Sequence, residues 1–305
     1  MNKVISLLIL SILSISANSQ ENTTIKIQVD QCNLKDAQSC SELAEDYYLG
    51  RSIQKDYQKA FEFSSKACDL GSPEGCFRAA NLYENGEGIA PMHDYAFNLY
   101  EKGCDLKNSA SCYRAALIKF GGTDGERNAV KAASFYQKAC DLRNESACAE
   151  LGIMYQNGIG VRLSQSKAIS LFKRSCLLEG SLGCTNLGVS FEERKGVHQN
   201  FINARFYYQV GCKLGNSQAC FNLANIKFLG LDGKRSLDDA FNYYAKSCDL
   251  NNAKGCNKVG YIYQLSRNDD FTDTTAFEYY HKGCMLGDSA SCKNEKRFQD
   301  YAHAE

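Results

Sequence analysis

Two prolines in 305 residues, four histidines and no excess of either charge are the first things this sequence shows. Scarce proline, together with the absence of alternating apolar and polar runs, argues against a strand-built fold and points to an all-α chain. Lys+Arg and Asp+Glu are equal at 35 each, so no net field favours nucleic acid or anionic lipid as partner. The four histidines, His93, His198, His281 and His303, form neither His-x-His nor His-Glu-x-x-His, which leaves no zinc-binding pattern and no implied cofactor. Glycines gather where helices would end rather than in a phosphate-binding loop. A hydrophobic content of 44% excludes wholesale disorder, so the chain is expected to fold.

The N-terminus reads as an export signal. Lys3 is the positive n-region, Val4 to Ser16 the apolar core, and Ala17-Asn18-Ser19 a small-residue cleavage site. The apolar run is shorter than the roughly 20 residues that span a bilayer, so a cleaved leader is expected over 1–19 rather than an anchor. The first cysteine is Cys32, too far on for a lipid-modified N-terminus. The mature product is therefore expected to be soluble and secreted or periplasmic, without a membrane anchor after cleavage. In such a compartment disulfides form and persist, and sixteen cysteines, an even number, fit complete pairing.

Those cysteines are periodic. Cys32, Cys68, Cys104, Cys140, Cys176, Cys212, Cys248 and Cys284 recur every 36 residues, and each has a companion eight residues on: Cys40, Cys76, Cys112, Cys148, Cys184, Cys220, Cys256 and Cys292. A fixed period of this length is the mark of a solenoid, in which each unit covers its apolar face with its neighbours. Numbering positions from the second cysteine of each pair, position 4 is always tiny (Ala44, Ala80, Ala116, Gly152, Gly188, Ala224, Gly260) and position 20 is alanine from Ala60 to Ala276. Position 24 is aromatic in most repeats, as in Tyr100, Tyr136, Phe172, Tyr208, Tyr244 and Tyr280. Spacings of three, four and seven are helical, and tiny residues let two helices approach closely.

Each unit thus parses into helix A, a loop, helix B and a tight turn. Ser72-Pro73-Glu74 starts a helix A with an N-cap, a proline at the first helical position and an acid in the first turn. Asn85-Gly86-Glu87-Gly88 ends it. Seven such repeats are expected at 37–72, 73–108, 109–144, 145–180, 181–216, 217–252 and 253–288, after an N-terminal cap segment at 20–36 and before a C-terminal capping half-repeat at 289–305. The first cysteine of each pair falls in the last turn of helix B and the second in the first turn of the next helix A. Adjacent pairing, such as Cys68 with Cys76, is the simplest of many connectivities, and spacing alone does not decide it. Each such bridge would contribute roughly 2 to 3 kcal/mol through loop closure.

The stretch Cys148-Ala149-Glu150-Leu151-Gly152-Ile153-Met154-Tyr155-Gln156-Asn157-Gly158-Ile159-Gly160-Val161, continuing to Lys167-Ala168, resembles the Sel1-like repeats. With a leader and one C-x7-C per repeat, the chain is similar to the Helicobacter cysteine-rich proteins among them. Repeats three, five and seven depart in their loops, at Gly121-Gly122-Thr123, Glu192-Glu193-Arg194 and Leu265-Ser266-Arg267. The resemblance implies an α/α superhelix akin to tetratricopeptide arrays, with within-repeat disulfides. It implies either a protein- or peptide-binding adaptor or a weak penicillin-binding β-lactamase, and so admits a β-lactam or peptidoglycan-like small molecule as ligand.

Catalysis by a serine β-lactamase needs Ser-x-x-Lys with Ser-Asp-Asn and Lys-Thr-Gly. Ser52-Ile53-Gln54-Lys55, Ser164-Gln165-Ser166-Lys167 and Ser170-Leu171-Phe172-Lys173 match the first element, and the other two do not occur. With every cysteine assigned to a bridge, no thiol nucleophile remains, and no catalytic residue is assigned. For binding, positions 3, 4 and 7 of helix A are expected to face the core and positions 2 and 5 to face away. Position 2 offers Arg78 and Arg114, and position 5 offers Leu117, Ile153, Val189 and Tyr261, an apolar strip with a basic edge suited to an extended peptide. The competing expectation is that the twist of the array buries these side chains against neighbouring helices.

Overall fold

The computed structural model describes residues 24–51, 53–123, 127–266 and 274–302, and all regular structure among them is helical. The segment 1–19, expected as a leader, lies outside the described residues. The A helices are α2 (Ala37–Leu49), α4 (Pro73–Asn85), α6 (Ser109–Gly121), α8 (Glu145–Asn157), α10 (Ser181–Glu192), α12 (Ser217–Leu229), α14 (Ala253–Ser266) and α16 (Ser289–Ala302). The B helices are α1 (24–33), α3 (Tyr57–Asp69), α5 (His93–Asp105), α7 (Ala129–Asp141), α9 (Gln165–Leu177), α11 (Phe201–Lys213), α13 (Leu237–Asp249) and α15 (Thr274–Met285).

Local chemistry sets the helix ends. Asp36, Ser72, Asn108 and Asn216 cap A helices by accepting from the backbone N–H three residues on, and Asp56, Asn128, Ser164, Asn200 and Ser236 do the same for B helices. Gly50, Gly86, Gly122 and Gly230 close A helices in the left-handed conformation. The turn from B to the next A also needs a left-handed residue, three after the first cysteine. Gly71, Gly215 and Gly287 supply it cheaply, whereas Lys107 (φ 67°), Arg143 (φ 66°) and Glu179 (φ 63°) adopt it with a side chain.

That turn carries the bridges. Cys32–Cys40, Cys68–Cys76, Cys104–Cys112, Cys176–Cys184, Cys212–Cys220, Cys248–Cys256 and Cys284–Cys292 are disulfides between adjacent cysteines. Cys140 and Cys148 are disulfide-bonded too, and no cysteine is free.

The chain forms two compact units, up to Asn144 and from Glu145. Within each, the helices from α2 on pack on the next in sequence. The core is built on the periodic columns: Ala60, Ala96 and Ala132 in the first unit and Ala204, Ala240 and Ala276 in the second are inaccessible to solvent. Tyr100 and Tyr136 in the first unit, and Phe172, Tyr208, Tyr244 and Tyr280 in the second, are the largest fully buried side chains. Positions 3 and 4 of helix A face this core as expected. Position 7 packs there too, and position 6, which the spacing does not single out, is buried in most repeats (Leu82, Ile118, Met154, Ser190, Ile226). At position 7 Lys119 is buried, while the aromatic residues lie half-buried and stack on helix B, as in Tyr47 on Phe63 and Phe191 on Tyr207, with centroids 5.7 Å apart in both pairs. In the second unit α16 ends the stack by laying Phe298 on Tyr280, 5.8 Å between centroids.

Candidate functional site

Helix A positions 2, 5 and 8 carry polar contacts that recur from repeat to repeat. In the first unit Arg78, on α4, reaches back to Glu45 on α2 (3.4 Å) and lies over the Tyr48 ring, 5.7 Å from its centroid. Glu45 is shared with Arg51, also at 3.4 Å. One repeat on, Arg114 pairs with Glu84 at 2.5 Å and stands 6.0 Å from the Tyr100 ring centroid. The Tyr100 hydroxyl sits between Glu84 (2.6 Å) and the side-chain oxygen of Asn81, and its single proton goes to one of them. Burial, reinforced by the Glu84 carboxylate, pushes the Tyr100 hydroxyl well above its ordinary pKa. The hydrogen bond to Glu84 raises Arg114, while burial lowers Arg78. Both arginines keep a buried Nε without a partner, so their outer nitrogens carry the pairing.

The same theme recurs in the second unit with other acceptors. Tyr208 donates to Glu192 (2.5 Å), Tyr244 to Asn225 (2.6 Å) and Tyr280 to Gln264 (3.0 Å). Sequence reasoning missed these acceptors at positions 5 and 8. A signal was present, since a tyrosine in a buried column needs somewhere to place its hydroxyl. Glu150, at position 2 of α8, is half-buried, and burial raises its carboxyl pKa.

The strip residues divide between the units. Leu117 lies half-buried on α6 in the first. In the second, Ile153 is half-buried against Ala168, Ile169, Phe172 and Leu187, and Val189 against the Tyr208 cluster. Tyr261 is 40% exposed, with the Lys258 ammonium 5.7 Å from its ring centroid. Each therefore serves packing while keeping a solvent edge. The second unit also has an open apolar cavity of about 350 Å³ lined by Phe228, Leu237, Phe241, Ile262 and Tyr263, with Arg235 at its rim.

The serine–lysine candidates are occupied otherwise. Ser164 caps α9, accepting from the Lys167 N–H at 3.4 Å, and Ser170 Oγ donates to the Lys167 carbonyl at 2.8 Å. The Lys167 ammonium lies over Tyr155, 5.0 Å from its centroid, rather than on either hydroxyl. Ser52 lies outside the described residues. Among the described residues no group of three or more His, Cys, Asp or Glu could hold a metal ion. No described helix is long and apolar enough to cross a membrane.

What fold and site define together is a stapled αα-repeat scaffold whose polar side chains are arranged along helices. The chain belongs to the Sel1 repeat family, whose model matches residues 37–72, 73–108, 109–144, 145–179, 181–216, 217–252 and 253–288. No curated protein matches the sequence. Among solved structures it is similar to a protective antigen of uropathogenic Escherichia coli described as displaying an SLR fold. That match has 23% identity and a TM-score of 0.74, over 85% of this chain and 56% of that one. This chain thus spans just over half of that antigen's length. A Sel1 repeat protein of Oxalobacter formigenes matches with 19% identity and a TM-score of 0.77, over 92% of this chain and 81% of that one. Helicobacter pylori cysteine rich protein B is 29% identical over 44% of this chain and 97% of its own, with a TM-score of 0.36. The likeness to the first two establishes the fold alone.

Proposed function

We propose that this chain is an exported, disulfide-stapled scaffold that binds a protein or peptide segment along the solvent edges of its A helices. The single observation that carries the reading is the ordered polar row of the first unit: Glu45–Arg78–Tyr48 and Asn81–Tyr100–Glu84–Arg114. Arginines held by a carboxylate and a ring are preorganised, so little rotamer entropy is lost when a ligand carboxylate or carbonyl arrives. Leu117, beside this row on α6, offers an apolar contact of the kind that anchors a peptide side chain. Cystine pairing throughout and a leader-like Met1–Ser19 support a secreted or periplasmic location. The test is affinity for a partner identified by cross-linking from helix A: Arg114→Ala and Leu117→Asp should each weaken it. Unchanged affinity in both variants refutes this surface.

A further inference from the structure

The outward sides of the B helices carry a ladder. Lys66 meets Asn33 (2.9 Å), Lys102 meets Asp69 (3.0 Å) and Lys138 meets Asp105 (3.0 Å) in the first unit; Lys282 meets Asp249 (3.4 Å) in the second. Each rung joins residues 33 apart on successive B helices. Within the second unit the ladder is interrupted in two consecutive rungs. The residues at this separation are Leu177 and Val210 in one, and Lys213 and Lys246 in the next.

Apolar substitution does not stop at the rung. On α11, Ile202 and Phe206 precede Val210 at i, i+4, i+8 spacing, one face of the helix. The place of Phe206 is taken by Asn98, Ser134, Ser170 and Asn242 in other repeats. Leu177 is 85% exposed, and Ile202 and Phe206 are each 58% exposed. Single exposed apolar residues at these places occur in other repeats, as Val130 and Met285, and need no explanation, but α9 and α11 gather Leu177, Ile202, Phe206 and Val210 on one surface. Its charge is also distinctive. Helices α9 and α11 carry Lys167, Lys173, Arg174, Arg205 and Lys213 and no acid. Lys173, Lys213 and Lys246 are exposed and pair with no carboxylate. On α13, Asp238 and Asp239 start the helix and Asp249, held by Lys282, ends it, and Glu179 lies in the turn after α9.

We infer that this face of α9, α11 and α13 docks an amphipathic helix of a partner protein, apolar along one side and acidic at the end that meets Lys173, Lys213 and Lys246. The apolar column spans about 12 Å, a little over two helical turns, which suits the ridge of a second helix. Charge complementarity selects the acidic end. A second copy presenting the same face would set lysine against lysine, and an anionic bilayer would meet Asp238 and Asp239 beside the apolar column. The surface is separate from the A-helix positions of the proposed function, so either can fail alone.

The probe is a fluorescein-labelled synthetic helix with leucines at i, i+3, i+4 and i+7 and a glutamate cluster at one end, titrated with the full oxidised protein. A twin peptide carries lysines in place of the glutamates. Saturable binding of the acidic peptide, weakened by salt, and none of the lysine twin is expected. Leu177→Asp with Val210→Lys rebuilds the rung seen at Asp69 and Lys102, so folding is retained while affinity falls about tenfold or more. Phe206→Asn, the residue at the matching place in α5 and α13, should act in the same direction. Thermal transitions of both variants report whether the fold is intact. Equal binding by the folded rung variant overturns the inference, as does binding of phosphatidylglycerol vesicles instead of the peptide, or variant-sensitive self-association without peptide binding.

Discussion

Gly188→Ala separates helix propensity from packing. By propensity alone the change stabilises an interior helical site by about 1 kcal/mol. A Cβ at Gly188, however, would lie 2.6 Å from both Cδ1 and Cε1 of Tyr208 and 3.1 Å from its Cγ. That ring is fully buried and tethered through its hydroxyl to Glu192 at 2.5 Å, so it cannot retreat without stretching the bond. Overpacking costs about 1–3 kcal/mol, and loss of a hydrogen bond to a charged group about 1.5–3 kcal/mol. With the propensity gain subtracted, the net expectation is destabilisation of about 0–2 kcal/mol if the ring shifts with its hydrogen bond kept, and about 1.5–5 kcal/mol if the bond is lost. The next repeat suggests a remedy: alanine is accepted there at Ala224, and Tyr244 instead donates to Asn225 beside it. Adding Val189→Asn to Gly188→Ala supplies that acceptor and should restore part of the loss. Urea and thermal unfolding of the oxidised proteins read both effects. A Gly188→Ala protein more stable than its parent would refute the packing argument.

Four further outcomes follow from other parts of the structure. Under graded reductant, Cys284–Cys292, in which both cysteines are half-exposed, should open before Cys68–Cys76, in which both are fully buried, as read by alkylation and mass mapping. Replacing the buried pair by alanines should cost about 2–3 kcal/mol, since each bridge closes a loop of similar length. Lys107→Gly relieves a side chain held at φ 67° and should raise the unfolding midpoint, by up to about 1 kcal/mol in stability, whereas the same change at Lys102, inside α5, should lower it. Burial raises the Glu150 pKa, so the folded state holds that proton more tightly than the unfolded one. Stability therefore falls as pH rises from the ordinary glutamate value through the raised one, and Glu150→Gln should flatten that segment of the stability–pH curve.

The parts legible in the sequence are those fixed by local chemistry. The cysteine period, the tiny position 4 and the Ser72-Pro73-Glu74 start each constrain backbone within one repeat, and repetition multiplies the signal. What escaped depends on direction in space. Position 7 reads as core by helical spacing and does pack there, but its rings, such as Tyr47, also stack on helix B, and Leu82 at position 6 takes an interior place that spacing does not assign. The segment before Cys32 lacks the alanine column, having Thr24 in its place, but it forms a helix over 24–33 that ends in the first bridge. Arg78 and Arg114 stand out as a column, whereas their pairing with Glu45 and Glu84 crosses repeats and leaves no local trace. The interrupted ladder is a mixed case: Leu177 and Val210 are visible in an alignment of repeats, but only the Lys102–Asp69 contact shows what they replace.

A photo-cross-linker at Leu117 tests the A-helix surface as a partner-binding face most directly, with one at Glu101 on helix B as control. A discrete adduct from Leu117 alone, with a partner whose affinity for the purified protein falls about tenfold or more on Arg114→Ala, is the predicted result. Adducts equally frequent from both positions, or an affinity indifferent to Arg114 and Leu117, would contradict it. Nitrocefin turnover that tracks the purified protein and vanishes with Ser164→Ala or Ser170→Ala would replace it with a hydrolase.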